Sequence, residues 1–111
     1  MFKIEDDNRV VLTRGDTCAF DVEIKTDSGE TYTPTETDVV TFTMKKDSKT
    51  SEVLICKYGT TIVFNPDDTR RLKYGNYLYD VTLTTAGGSV YTIIPPTEFI
   101  LSDEIHWERR N

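Results

Sequence analysis

The chain has 111 residues, with 19 acidic and 13 basic side chains, a formal net charge of −6 and a pI near 4.7. That length predicts one domain with one core, and the negative field argues against nucleic acid and anionic membrane as partners. No run of about 18 apolar residues is present, and Met1 to Asn8 carries Glu5, Asp6 and Asp7 without an apolar stretch, so neither a membrane span nor an export signal is read. Synthesis and retention in the cytoplasm follow as expectations, with Cys18 and Cys56 as reduced core thiols rather than a disulfide or metal pair.

The chain is rich in Thr, Val, Ile and Tyr and shows no helical apolar spacing, so strands should dominate. Arg9 to Thr13 reads as a strand that stops at the turn Arg14-Gly15-Asp16. Thr17 to Lys25 alternates, with Cys18, Phe20, Val22 and Ile24 on one face. Asp27-Ser28-Gly29-Glu30 is a hairpin turn leading back through Thr31 to Thr33, and Pro34 ends that segment. Asp38 to Lys46 alternates again with Val40, Phe42 and Met44 inward. Lys46 to Glu52 is a polar loop.

Val53 to Tyr58 and Thr61 to Phe64 read as two further strands, but their register stays open: Leu54, Cys56 and Tyr58 share one parity, Val53 and Ile55 the other. Asn65 can cap a short helical turn that starts at Pro66. Tyr77 to Thr84 follows with Tyr77, Tyr79, Val81 and Leu83 on one face. Thr85 to Gly88 is a hairpin tip and Ser89 to Ile94 its return, broken by Pro95-Pro96. Phe99 to Leu101 reads as a last short edge strand, and 104–111 as a tail on a domain spanning 1–103. Consecutive hairpins with one crossing corner predict an all-β fold, an immunoglobulin-like antiparallel β-sandwich of about seven short strands.

Catalytic chemistry finds little footing here. The single histidine, His106, sits in the tail beside Trp107, far in sequence from either cysteine, so no nucleophile and base pair is read. Asp6-Asp7 and Asp67-Asp68 are neighbours whose side chains diverge on a strand, and Asp67-Asp68 suits a helix N-terminus. No alternating acidic calcium loop occurs. Arg14-Gly15-Asp16 spells an integrin-type tripeptide, for which a tight turn is the simpler account. We therefore expect no enzyme, no cofactor and no metal. Tyr74, Tyr91 and Trp107 remain as candidate exposed interface contacts, because Tyr77 and Tyr79 share parity with core residues.

Three stretches carry a resemblance: Leu12-Thr13-Arg14-Gly15-Asp16-Thr17, the run Leu72-Lys73-Tyr74-Gly75-Asn76-Tyr77-Leu78-Tyr79-Asp80-Val81, and Thr92-Ile93-Ile94-Pro95-Pro96 closing at Phe99. Together they resemble small proteins encoded in phages and prophages of Gram-positive bacteria, in which a TRGDT opening, a YGxYxYDV strand and a TIIPPxxF end recur. Similar immunoglobulin-like modules occur in phage tails and baseplates, including the N-terminal domain of baseplate upper proteins. The resemblance implies a non-enzymatic structural module of a tail or baseplate, made in the bacterial cytoplasm and incorporated in a virion. Its partners would be protein subunits, copies of itself included. Independently, the stretch from Leu72 through Gly75 to Tyr77 resembles the corner that precedes a central strand in immunoglobulin-like sandwiches, with the Tyr77 hydroxyl expected to tie back to backbone. A carbohydrate-recognition domain is the alternative from a different class.

Overall fold

Alternating apolar and polar side chains can bury one face of a strand and leave the other to solvent, and this chain uses that period from end to end. The computed structural model describes residues 2–103. Its elements are β1 (Phe2–Ile4), β2 (Val10–Thr13), β3 (Cys18–Asp21), β4 (Val39–Lys45), β5 (Ile55–Tyr58), β6 (Thr61–Phe64), α1 (Pro66–Arg70), β7 (Gly75–Thr84) and β8 (Val90–Ser102). A six-stranded sheet runs in the order β1-β2-β8-β7-β4-β5, and β3 pairs with β6 in a second sheet of two strands. The fold is thus all-β.

The two sheets meet through aromatic side chains. Phe64 of β6 stands edge-on to Phe42 of β4 at 5.6 Å between ring centres and stacks on Phe99 of β8 at 5.4 Å. Phe42 also stacks on Tyr79 of β7 at 5.1 Å. Val10, Leu12, Met44, Ile62, Val81 and Leu101 complete the buried centre. Each aromatic contact adds about 0.5–1.5 kcal/mol beyond the area it buries.

Several expectations are met in the register. Cys18, Val22 and Ile24 are buried with Phe20 packed partly against them, and Val40, Phe42 and Met44 point inward. Gly29, at a φ of +88°, closes the turn in which its N–H donates to the Thr26 carbonyl at 2.9 Å. α1 starts at Pro66, and the Asp68 carboxylate accepts the Asn65 N–H at 2.7 Å, closing its first turn.

Others are corrected. Phe99 to Leu101 is no edge strand: it is flanked by β7 on one side and by β2 on the other, and the β2–β8 pairing is parallel, so the large sheet is mixed rather than wholly antiparallel. Pro95-Pro96 does not break the return strand. Between Tyr79↔Thr97 and Thr82↔Thr92 the register shifts twice, and both prolines fall in the first of these irregularities, between Ile94 and Thr97, where a residue without an N–H is tolerated. β1 has no signature in the sequence, because three residues are too few to display a period. The open register is settled with Ile55 buried, so Cys56 is an exposed thiol on β5 and not a core residue.

Candidate functional site

The corner before β7 is built by long-range ties. Thr69 of α1 is fully buried, and its hydroxyl accepts the Gly15 N–H at 2.8 Å, binding the helix to the turn between β2 and β3. In that turn Gly15 has a φ of +87°, a conformation that glycine adopts without strain. The Arg14 guanidinium donates to the Leu72 carbonyl at 3.2 Å. Gly15 is buried, so Arg14-Gly15-Asp16 is an internal brace rather than a displayed recognition loop. Leu72 packs partly against the core, Gly75 opens β7 at a φ of +148°, and the buried Tyr77 donates its hydroxyl to the Lys73 carbonyl at 2.5 Å. Lys46 places its ammonium 4.9 Å from the centre of the Tyr77 ring and 3.4 Å from the Asn76 carbonyl.

The paired acids do not converge on a common point. Burial opposes the charge of the Asp68 carboxylate, yet the Asn65 N–H and the Lys57 ammonium, 2.9 Å away, outweigh it and hold the group below the ordinary range. Asp7 pairs with Arg9 at 3.0 Å. Among the described residues no three His, Cys, Asp or Glu side chains are grouped so as to hold a metal ion.

Tyr74 and Tyr91 are both exposed, at 59% and 56%, but they stand at opposite ends of the β7–β8 ladder. Tyr74 precedes Gly75, whose partner is Leu101, whereas Tyr91 lies opposite Leu83. They form no common platform. Trp107 and His106 lie outside the described residues. A third exposed aromatic, Tyr58 at 68%, stands on β5, which pairs with β4 alone and so forms an edge of the large sheet.

Around Tyr91 the structure holds a feature that sequence reading missed. Ile24, Tyr32, Leu83, Tyr91 and Ile93 line an open groove of about 490 Å³, together with the polar side chains of Lys25, Asp27 and Thr85. The groove forms where the 24–32 hairpin meets the end of the β7–β8 hairpin, so its residues are far apart in the chain. Tyr32 is fixed there by donating its hydroxyl to the Asp38 carboxylate at 2.5 Å, and Asp38 also accepts the Thr35 N–H at 3.0 Å. These bonds lower the Asp38 carboxyl and raise the Tyr32 phenol from their ordinary values. The groove matches pockets that bind ligands or partner side chains in size, and it mixes apolar walls with a few polar groups.

No helix among the described residues is long and apolar enough to cross a membrane. Comparison of the chain with protein-family models, with curated proteins and with solved structures finds no match.

Proposed function

We propose that this chain is an immunoglobulin-like, non-enzymatic module that binds protein subunits in a phage tail or baseplate. For the fold class, the support is strand order. A three-strand core of β4, β7 and β8 faces the β3–β6 pair, which parallels the division of an immunoglobulin domain into a C-F-G sheet and a sheet containing B and E. α1 falls between β6 and β7, where that fold turns its E–F corner, and the Tyr77 hydroxyl bond to Lys73 suits the tyrosine at the start of strand F. The phage setting rests on the motif resemblance at Leu12–Thr17, Leu72–Val81 and Thr92–Phe99.

The observation that carries subunit binding is the open edge of the large sheet. β5 pairs with β4 only, leaving a row of backbone groups to be matched, and Tyr58 presents an aromatic ring there at 68% exposure. A pairable edge with an aromatic anchor is a surface on which another chain can add a strand. The test is co-expression with the proteins encoded beside this one, followed by native mass measurement of what co-purifies. A complex with a tail protein that is lost on Tyr58→Lys supports the reading; no complex with any of them contradicts it.

The carbohydrate alternative is favoured by one observation, the Tyr91 groove, lined by two tyrosines and Asp27. Binding on a glycan array that Tyr91→Ala abolishes would support that reading, whereas the subunit-binding module gives no signal there.

A further inference from the structure

The first half of β8 is an open strand edge that adjoins the Tyr91 groove. β7 runs along one side of β8, but on the other side β2 pairs only with residues 99–102, so among the described residues no strand covers residues 90–94. The Thr85 N–H donates to the Ser89 carbonyl at 2.9 Å, which makes Leu83 and Tyr91 the next bonded pair of the ladder. Val90 and Thr92 therefore turn their N–H and C=O groups away from β7, toward the uncovered side. Tyr91 lies opposite the buried Leu83 and shares its face, and the groove of Ile24, Tyr32, Leu83, Tyr91 and Ile93 lies on that face. Pro95 and Pro96, which have no N–H, end the open strip.

Residues 104–111, outside the described residues, supply a segment of matching pattern. In Glu104-Ile105-His106-Trp107-Glu108-Arg109 the apolar side chains fall at every second position, and Arg109 follows in the same parity. A strand of this sequence offers Ile105 and Trp107 from one face and Glu104, His106 and Glu108 from the other. Such alternation is what an edge with one buried face requires of a strand added to it. The chain's own groove is out of reach. Leu101 pairs with Gly75 and Tyr91 with Leu83, so about 26 Å of ladder separates Leu101 from Tyr91, whereas full extension carries Trp107 only about 20 Å past Leu101.

We propose that copies of this chain associate by strand addition, residues 104–108 of one copy pairing antiparallel with residues 90–94 of the next. Val90 and Thr92 exchange backbone hydrogen bonds with the incoming segment, and Ile105 and Trp107 enter the Tyr91 groove. Trp107 is the aromatic anchor, with Tyr32 and Tyr91 as walls for its ring. The antiparallel direction carries Arg109 past Val90 toward Thr85. Asp27 lines the groove for Arg109 to meet, and Lys25 beside it is held by Glu23 at 2.8 Å. The contact is heterologous, so it propagates into a row or closes into a ring. It uses the β8 edge rather than the β5 edge, and so goes beyond the binding of other subunits at β5.

Trp107 is the single tryptophan, so the chain's own fluorescence reads the contact directly. The test is sedimentation velocity of the full chain over a range of concentrations, with tryptophan emission recorded on the same samples, for the parent and three variants. Trp107→Ala removes the anchor. Thr92→Pro removes an N–H that faces away from β7, where an edge strand tolerates proline. Tyr91→Ala, at an exposed side chain, alters the groove without touching the backbone and should keep the parent's denaturation midpoint. The expected result for the parent is a species that grows with concentration while its emission moves to shorter wavelength, as the indole leaves water. Trp107→Ala and Thr92→Pro are each monomeric alone, and Tyr91→Ala associates about tenfold more weakly than the parent. An equimolar mixture of Trp107→Ala and Thr92→Pro forms a dimer and nothing larger, because one intact groove meets one intact tail, and the emission shift returns. A parent that stays monomeric overturns the proposal, as does any variant that associates like the parent, a mixture that stays monomeric, or an emission that ignores concentration. A monomeric parent that nevertheless binds a co-encoded tail protein overturns strand addition between copies and leaves the subunit-binding reading standing.

Discussion

Tyr77, Thr69 and Tyr79 each hold a distant piece of chain by one polar bond, and each bond can be removed singly. Tyr77→Phe deletes the donor to the Lys73 carbonyl, and should lower stability by about 1 kcal/mol in a urea titration. Thr69→Val is the harsher change, since it leaves the buried Gly15 N–H without its acceptor, and about 1–3 kcal/mol is expected. Tyr79 donates to the Asn8 carbonyl, and burial pushes its phenol up to about 12 from an ordinary value of 10. The folded state therefore holds this proton more tightly than the unfolded chain does. Its stabilising contribution is complete below pH 10 and is lost as pH rises through 12, so the denaturation midpoint should fall across that window and fall less in Tyr79→Phe. Cysteine chemistry separates the two thiols: Cys18 is buried, with burial raising it to about 11, whereas Cys56 is exposed. A thiol reagent should label one cysteine of the native chain quickly, and peptide mapping should find it at Cys56.

Elements differ in how visibly they were written. β4 and β7 were legible because alternation over Val40, Phe42 and Met44, and over Tyr77, Tyr79, Val81 and Leu83, names one buried face whatever the partner strand. The helical turn was legible from Asn65-Pro66 alone, a local signal. What stayed hidden depends on partners distant in sequence: that Phe99 to Leu101 lies between β2 and β7, and that an irregularity accommodates Pro95-Pro96, follow from pairing that no short window contains. Of the candidate site, Tyr74 and Tyr91 were legible as tyrosines outside the core, but their separation and the groove were not, because the groove joins residues 24–32 to 83–93. Pairing also sets local stability. β7 and β8 are paired along most of their length, whereas β1 is three residues held by β2 alone, so amide exchange should be slowest in β7 and the Phe99–Leu101 part of β8 and fastest among the strands in β1.

For the whole molecule, the small sheet is what makes a core out of a large one. β3 and β6 offer only a few residues each, and the cover depends on Phe20 and Phe64 reaching Phe42 and Phe99. Phe42→Ala should cost about 3–5 kcal/mol, a large part of the stability of a domain this size, and a thermal melt should show a much lower midpoint. The same economy leaves the β5 edge of the large sheet and the Tyr91 groove facing outward, and the proposed subunit binding uses that edge. The measurement that tests this most directly is solution mass by light scattering, on the chain alone and then with the proteins encoded beside it. A defined oligomer or a stoichiometric complex is the predicted result. A monomer that ignores every such protein would contradict the account.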